Sequence, residues 1–179
     1  ASHWRIPVLF CSLEMGAGRI VERLWELHGG VNATRIRSGF LGSTEIKTAE
    51  FTSNESKHWP LWIDDKATQN ASHIRGVVQK FMAKRDRALI VIDYLQLITA
   101  NDVRRNMTRD SEVSGISREL KAIAREYNCP VMCLCQLNRE SETEKDGFRQ
   151  LRFLRESGAI DQDTDVVMIL ANKEGQKDT

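Results

Sequence analysis

Residues 89–96 read LIVIDYLQ. Four consecutive apolar residues, Leu89, Ile90, Val91 and Ile92, lack the alternation of a strand with one wet face. Such a continuous run describes a strand covered on both faces, as in a parallel sheet. Asp93 closes the run. A carboxylate at the end of a buried strand is costly unless a cation or a hydrogen-bond donor meets it.

Working outward, similar runs occur at residues 8–13 (VLFCSL), 61–63 (LWI), 131–135 and 166–170. Helical spacing lies between them. Residues 18–28 carry Ile20, Val21, Leu24 and Leu27 on one face and stop at Gly29-Gly30. Residues 70–84 place Ile74, Val77, Val78, Phe81 and Met82 at helical intervals, and residues 111–127 do the same with Val113, Ile116, Leu120, Ile123 and Tyr127. The last of these ends at Asn128, with Pro130 just beyond. Residues 34–58 predict one or two short helices. Strands alternating with helices specify an α/β domain with a mainly parallel sheet. Two polar stretches, residues 100–110 and 138–153, read as long surface loops, which in compact domains are commonly functional.

The bulk numbers fit one domain: 179 residues, 41% hydrophobic and 28% charged. A net charge of +1 provides no global field toward nucleic acid or membrane, although it leaves room for a local basic patch. No apolar run approaches the roughly 20 residues of a membrane span, and ASHWRIPVLFC at the start does not have the form of a signal peptide. Cys11, Cys129, Cys133 and Cys135 sit in or beside apolar runs, and His3, His28, His58 and His73 show no ligand-like spacing to them. Buried free thiols in a reducing cytoplasm are the expected state.

In open parallel sheets ligands bind beyond the carboxyl ends of the strands. Glu14, Asp64, Asp65, Asp93 and Gln136 follow strands in this way. Asp93 has the Walker B form, whose carboxylate holds Mg²⁺ on nucleotide phosphates through the water shell. Glu14 is placed to orient and activate an attacking water. Gln136 is placed to touch a γ-phosphate. Taken singly, each has a plainer reading: a loop-capping aspartate, an acid at a helix start, a polar strand end. LRESGAIDQDTD, residues 154–165, offers Arg155, backbone N–H groups and a compact turn to a phosphodiester backbone.

Four motifs in order carry a family resemblance: FCSLEM at 10–15, LIVIDYLQL at 89–97, CLCQLNR at 133–139 and LRESGAIDQDTDVVM at 154–168. With RDSEVSGISRELKAIARE at 109–126 between them, the chain resembles the RecA-like C-terminal motor domain of the DnaB-type replicative DNA helicases over nearly its whole length. The resemblance implies a P-loop NTPase core using ATP and Mg²⁺. It implies that Glu14 polarises the catalytic water, that Asp93 holds Mg²⁺, and that Gln136 senses the γ-phosphate and couples it to DNA. Arg155, Glu156 and Gly158 match the loop that grips single-stranded DNA; Arg104, Arg105 and Arg109 match a channel-facing region by position only. A homo-hexameric ring, with a primase and a helicase loader as partners and no membrane, is implied as well.

The sequence also departs from the family pattern. No G-x-x-x-x-G-K-[ST] phosphate loop occurs in these residues, and only nine residues precede Phe10. The Lys-x-Arg arginine-finger motif is missing too. Residues 1–179 are therefore expected to be a single, partial RecA-like motor domain lacking its Walker A strand, poorly stable and inactive alone, with a gap between sheet neighbours. Two other readings stay open: a Walker A-less, non-catalytic relative that binds single-stranded DNA or a helicase ring, and a RecA-type recombinase, which SLEM and LRESGAI disfavour.

Overall fold

The computed structural model describes residues 5–67, 69–99, 108–136 and 160–170. Strands β1 (Val8–Ser12), β2 (Leu61–Asp64), β3 (Leu89–Asp93) and β4 (Val131–Cys133) form one sheet in the order β2-β1-β3-β4. Every pairing is parallel. Helices α1 (Ala17–Gly29), α2 (Ala33–Ser38) and α3 (Ser43–Ser56) connect β1 to β2. Helix α4 (Ala71–Met82) leads into β3, and a 3-10 turn (Leu95–Leu97) and α5 (Arg109–Glu126) lead on to β4. A last turn of helix, α6, covers Ile160–Asp163.

The continuous apolar runs become the two central strands because only those positions are covered on both sides. Leu9, Cys11, Ile90 and Ile92 join Ile74 and Val78 of α4 and Ile116, Leu120 and Ile123 of α5 in one buried cluster. The helical spacing predicted for residues 70–84 and 111–127 is the stripe those two helices bury there. Burying each such side chain stabilises the fold by about 1.5–3 kcal/mol.

The helix ends have local causes. Asn70 accepts a hydrogen bond from the His73 N–H at 2.8 Å, and Thr108 from the Ser111 N–H at 3.3 Å. Gly30 turns α1 off in the left-handed region, at φ 69°, where its N–H returns to the Glu26 carbonyl. Gly29 is required by packing: a Cβ there would stand 2.2 Å from Thr52 Oγ1 on α3.

Several expectations need correction. In place of the short helices predicted at 34–58 stand α2, of six residues from Ala33, and α3, of fourteen, so the second is not short. Residues 100–110 are not all loop, because the Thr108 cap starts α5 at Arg109. Of the α1 stripe only Ile20 is buried; Leu27 is 84% exposed, at a cavity of about 380 Å³ lined also by Phe10 and Trp59. Residues 166–170 form no strand, and Leu170 is 97% exposed. A strand exists only by pairing, and among the described residues nothing pairs with this run. The four strands present stand side by side, with no gap among them. Among the described residues the unpaired backbone falls instead on the two outer strands: on β2, where Trp62 is 43% exposed, and on β4, where Met132 and Leu134 are 40% and 42% exposed.

Candidate functional site

The register brings the candidate residues to one rim. Ser12 lies beside Asp93 in the β1–β3 pairing, and Ile92 lies beside Cys133 in the β3–β4 pairing. Glu14, Asp93 and Gln136 therefore leave three adjacent parallel strands at their carboxyl ends.

Each exit is held by hydrogen bonds. The Leu13 N–H donates to the Asp93 carbonyl at 2.9 Å, tying the end of β1 to that of β3. Buried Ser12 then folds the chain over: its Oγ donates to the Met15 carbonyl at 2.7 Å and accepts from the Met15 N–H at 3.2 Å. That turn leaves Glu14 exposed to solvent. Asp93 is half-buried, its peptide bond to Tyr94 is cis, and no described side chain hydrogen-bonds or ion-pairs with its carboxylate. Past Cys133 the Leu134 N–H donates to the Ile92 carbonyl, and the Leu134 carbonyl accepts from the Leu95 N–H, each at 2.9 Å. Exposed Gln136 follows, its backbone bracketed by the side chain of Gln96. The sequence reading missed Gln96, although it lies in LIVIDYLQ itself; no pattern in one sequence tells a pairing side chain from a polar turn residue.

Other acids at this rim serve the fold. Asp65 Oδ2 accepts from the Ala17 N–H at 2.8 Å and so caps α1 from another loop. Asp64 Oδ2 lies 2.8 Å from His73 Nε2. Arg109 begins α5, and its guanidinium bonds to the Gln96 carbonyl and to Glu112. Arg104, Arg105, Arg155, Glu156 and Gly158 lie outside the described residues.

All four cysteines are free; Cys11 and Cys129 are buried as expected, whereas Cys133 and Cys135 are only partly so. Burial, with a smaller push from Asp64, raises the Cys11 thiol to about 12. Burial, then Cys135, Asp93 and Cys11, raises Cys133 to about 12. These pKa values lie above the ordinary value of 9.0, so the fold disfavours the thiolate. Their contribution to stability is complete below pH 9 and is lost as pH rises toward about 12. The urea midpoint is expected to fall between about pH 8 and about pH 10, and to fall less in a Cys11→Ala variant. Equal falls in the two proteins would remove the Cys11 thiol as a cause.

Among the described residues no group of three or more His, Cys, Asp or Glu side chains converges as a metal cage. A single oxygen ligand without a cationic partner, as at Asp93, suits Mg²⁺, which keeps several waters and takes its other ligands from substrate phosphates. The donor set among the described residues thus fits a nucleotide-borne Mg²⁺.

A parallel sheet flanked by helices, with a glutamate, an aspartate and a glutamine on adjacent strand ends, is the layout of a RecA-like ATPase core. A solved ATPase domain, 33% identical, superposes with a TM-score of 0.78 over 89% of this chain and 57% of its own. The chain belongs to the DnaB-like helicase C-terminal domain family, whose profile matches residues 1–179. It is 38% identical over 165 residues to the replicative DNA helicase DnaB of Leifsonia xyli and 38% identical over 163 residues to the replicative DNA helicase DnaC of Bacillus subtilis. These matches cover 92% and 91% of the chain but 36% of each relative, so the chain spans little more than a third of their length. A DnaB-like replicative helicase, solved with attention to its interactions with primase, is 34% identical with a TM-score of 0.76, over 89% of this chain and 40% of that one.

Proposed function

We propose that this chain is part of the motor of an ATP-driven replicative DNA helicase. The observation that carries the reading is the gathering of Glu14, Asp93 and Gln136 on one rim, from adjacent strands tied by the Leu13–Asp93 bond. The Asp93 carboxylate would hold Mg²⁺, which when bound would supply positive charge against the nucleotide phosphates. Glu14, open to solvent at the rim, orients a water and draws its proton. Gln136 would offer its side-chain amide to the terminal phosphate. Family membership supports nucleotide use, and its relatives' names support DNA as the track.

The same reading makes residues 1–179 a partial motor domain. A Walker A strand would lie along the open edge of β4, between it and residues 166–170. The exposed Met132 and Leu134 and the unpaired 166–170 run support that position. Arg155, Glu156 and Gly158 would grip the single strand, with Arg104 and Arg105 near it, in a homo-hexameric ring served by a primase and a loader. The cytoplasm is the proposed compartment; no described helix is long and apolar enough to cross a membrane.

The test is strand displacement by the complete protein on a forked duplex, with and without ATP and Mg²⁺. Unwinding that needs both is expected. Binding of single-stranded DNA without turnover would favour the non-catalytic reading, and pairing of homologous strands the recombinase.

A further inference from the structure

We infer that Gln96 is the positioning residue for Gln136, and that Arg109 holds Gln96 in turn, so that a hydrogen-bonded chain joins the first turn of α5 to the candidate phosphate-sensing amide. The inference rests on the reading of Gln136 given above.

The β3–β4 ladder ends at the Ile92–Cys133 pair, so among the described residues the backbone of Gln136 has no strand neighbour to meet it. Gln96 supplies the equivalent with its side chain. Its Nε2 donates to the Gln136 carbonyl at 2.9 Å, and its Oε1 accepts from the Gln136 N–H at 3.3 Å. One bond would leave the residue free to pivot, whereas two opposed bonds fix both its place and its orientation. The same Nε2 also reaches Cys135 Sγ at 3.1 Å, which uses the second amide hydrogen. The remaining described side-chain contact to that backbone is weak, from Cys135 Sγ to the Gln136 carbonyl at 3.8 Å. Among the described residues Gln96 is thus the main polar anchor of Gln136.

Gln96 is itself anchored on both sides. The preceding residue, Leu95, is buried and donates its N–H to the Leu134 carbonyl at 2.9 Å. The Gln96 carbonyl accepts from Arg109 Nη2, while Arg109 Nη1 pairs with Glu112 one turn along α5. A shift of the first turn of α5 therefore pulls on the backbone of Gln96, and through its amide on Gln136. The path has two side chains, both bonded to backbone at their far ends, and needs no rearrangement of the sheet.

The test is a mutant cycle in the complete protein, reading ATP turnover stimulated by single-stranded DNA and the KM for ATP. Gln136→Ala, Gln96→Leu and the double variant are compared, with thermal midpoints recorded for each. Gln96→Leu is expected to lower stimulated turnover roughly fivefold to tenfold, with kcat moved more than KM, and to add nothing once Gln136→Ala is present. Losses that multiply in the double variant would show Gln96 acting independently and overturn the inference. If Gln136→Ala costs stimulation but Gln96→Leu does not, this inference alone fails. If Gln136→Ala leaves stimulation at the wild-type level, the sensing role fails and takes the inference with it. Should Gln96→Leu unfold, two further variants decide. Gln96→Glu keeps the size and the acceptor but sets an oxygen against the Gln136 carbonyl. Arg109→Ala cuts the chain at an exposed position. Each is expected to lose stimulation in the wild-type background and to lose nothing further beside Gln136→Ala, and additive losses from both overturn the proposal.

Discussion

Asp93→Ala in the complete protein is expected to lower ATP turnover by roughly 10²–10³-fold or more, the scale of losing one preorganised electrostatic contact to a reacting group. Glu14→Ala is expected to cost a similar factor, since general-base assistance contributes about 10²–10⁴-fold. Both proteins should remain folded. Asp93 makes no side-chain hydrogen bond or ion pair with a described side chain, and its structural bond to Leu13 uses the main-chain carbonyl, which alanine keeps. Glu14 is exposed, and the turn around it is held by Ser12 and Met15. Turnover assays beside circular dichroism separate loss of chemistry from loss of fold. Wild-type ATPase in both variants would end the assignment of this rim as a hydrolytic site.

The second large effect concerns the outer edge of β4, which no described strand pairs. A polypeptide extended upstream to include a strand and phosphate loop is expected to unfold at a higher urea concentration than residues 1–179, and with a steeper slope. The steeper slope follows because more surface is exposed on unfolding when the edge starts out covered. Covering Met132 and Leu134 and pairing the run 166–170 buries several large apolar side chains. At about 1.5–3 kcal/mol for each one fully covered, a gain on the order of 3–6 kcal/mol is expected. Equal midpoints and slopes in the two polypeptides would show that β4 is a natural edge and would overturn the partial-domain reading.

Both expectations began in LIVIDYLQ, and the two halves of that stretch differed in legibility. Leu89, Ile90, Val91 and Ile92 were readable because burial on both faces demands apolar side chains at every position, and few other settings do. Helices α4 and α5 were readable for the same reason, since a stripe facing a sheet repeats at helical spacing. Residues 166–170 have the composition of a strand and do not form one here, because composition records what a strand buries and pairing decides whether it exists. Cys133 and Cys135 were expected to be buried and are only partly so, because how much β4 is covered depends on what packs against it.

The candidate site divided along a similar line. Glu14, Asp93 and Gln136 were legible because each follows a strand-like run. That they share one rim is a matter of strand order and register, which appear nowhere in a linear chain. Asp64 and Asp65 also follow a strand, and only their partners, His73 and the Ala17 N–H, mark them as structural. Arg109, grouped by position with the DNA-facing arginines, has a guanidinium engaged with Gln96 and Glu112.

By itself the sequence determined the α/β class, the helix stripes and the residue types at the strand ends, because hydrophobic periodicity and short motifs are properties of neighbours along the chain. Only the tertiary structure decided that β4 is the last strand of the sheet among the described residues and that Gln96 brackets Gln136. Those depend on contacts between segments about 40 residues apart, and hydrogen bonds across such distances are set by how elements pack.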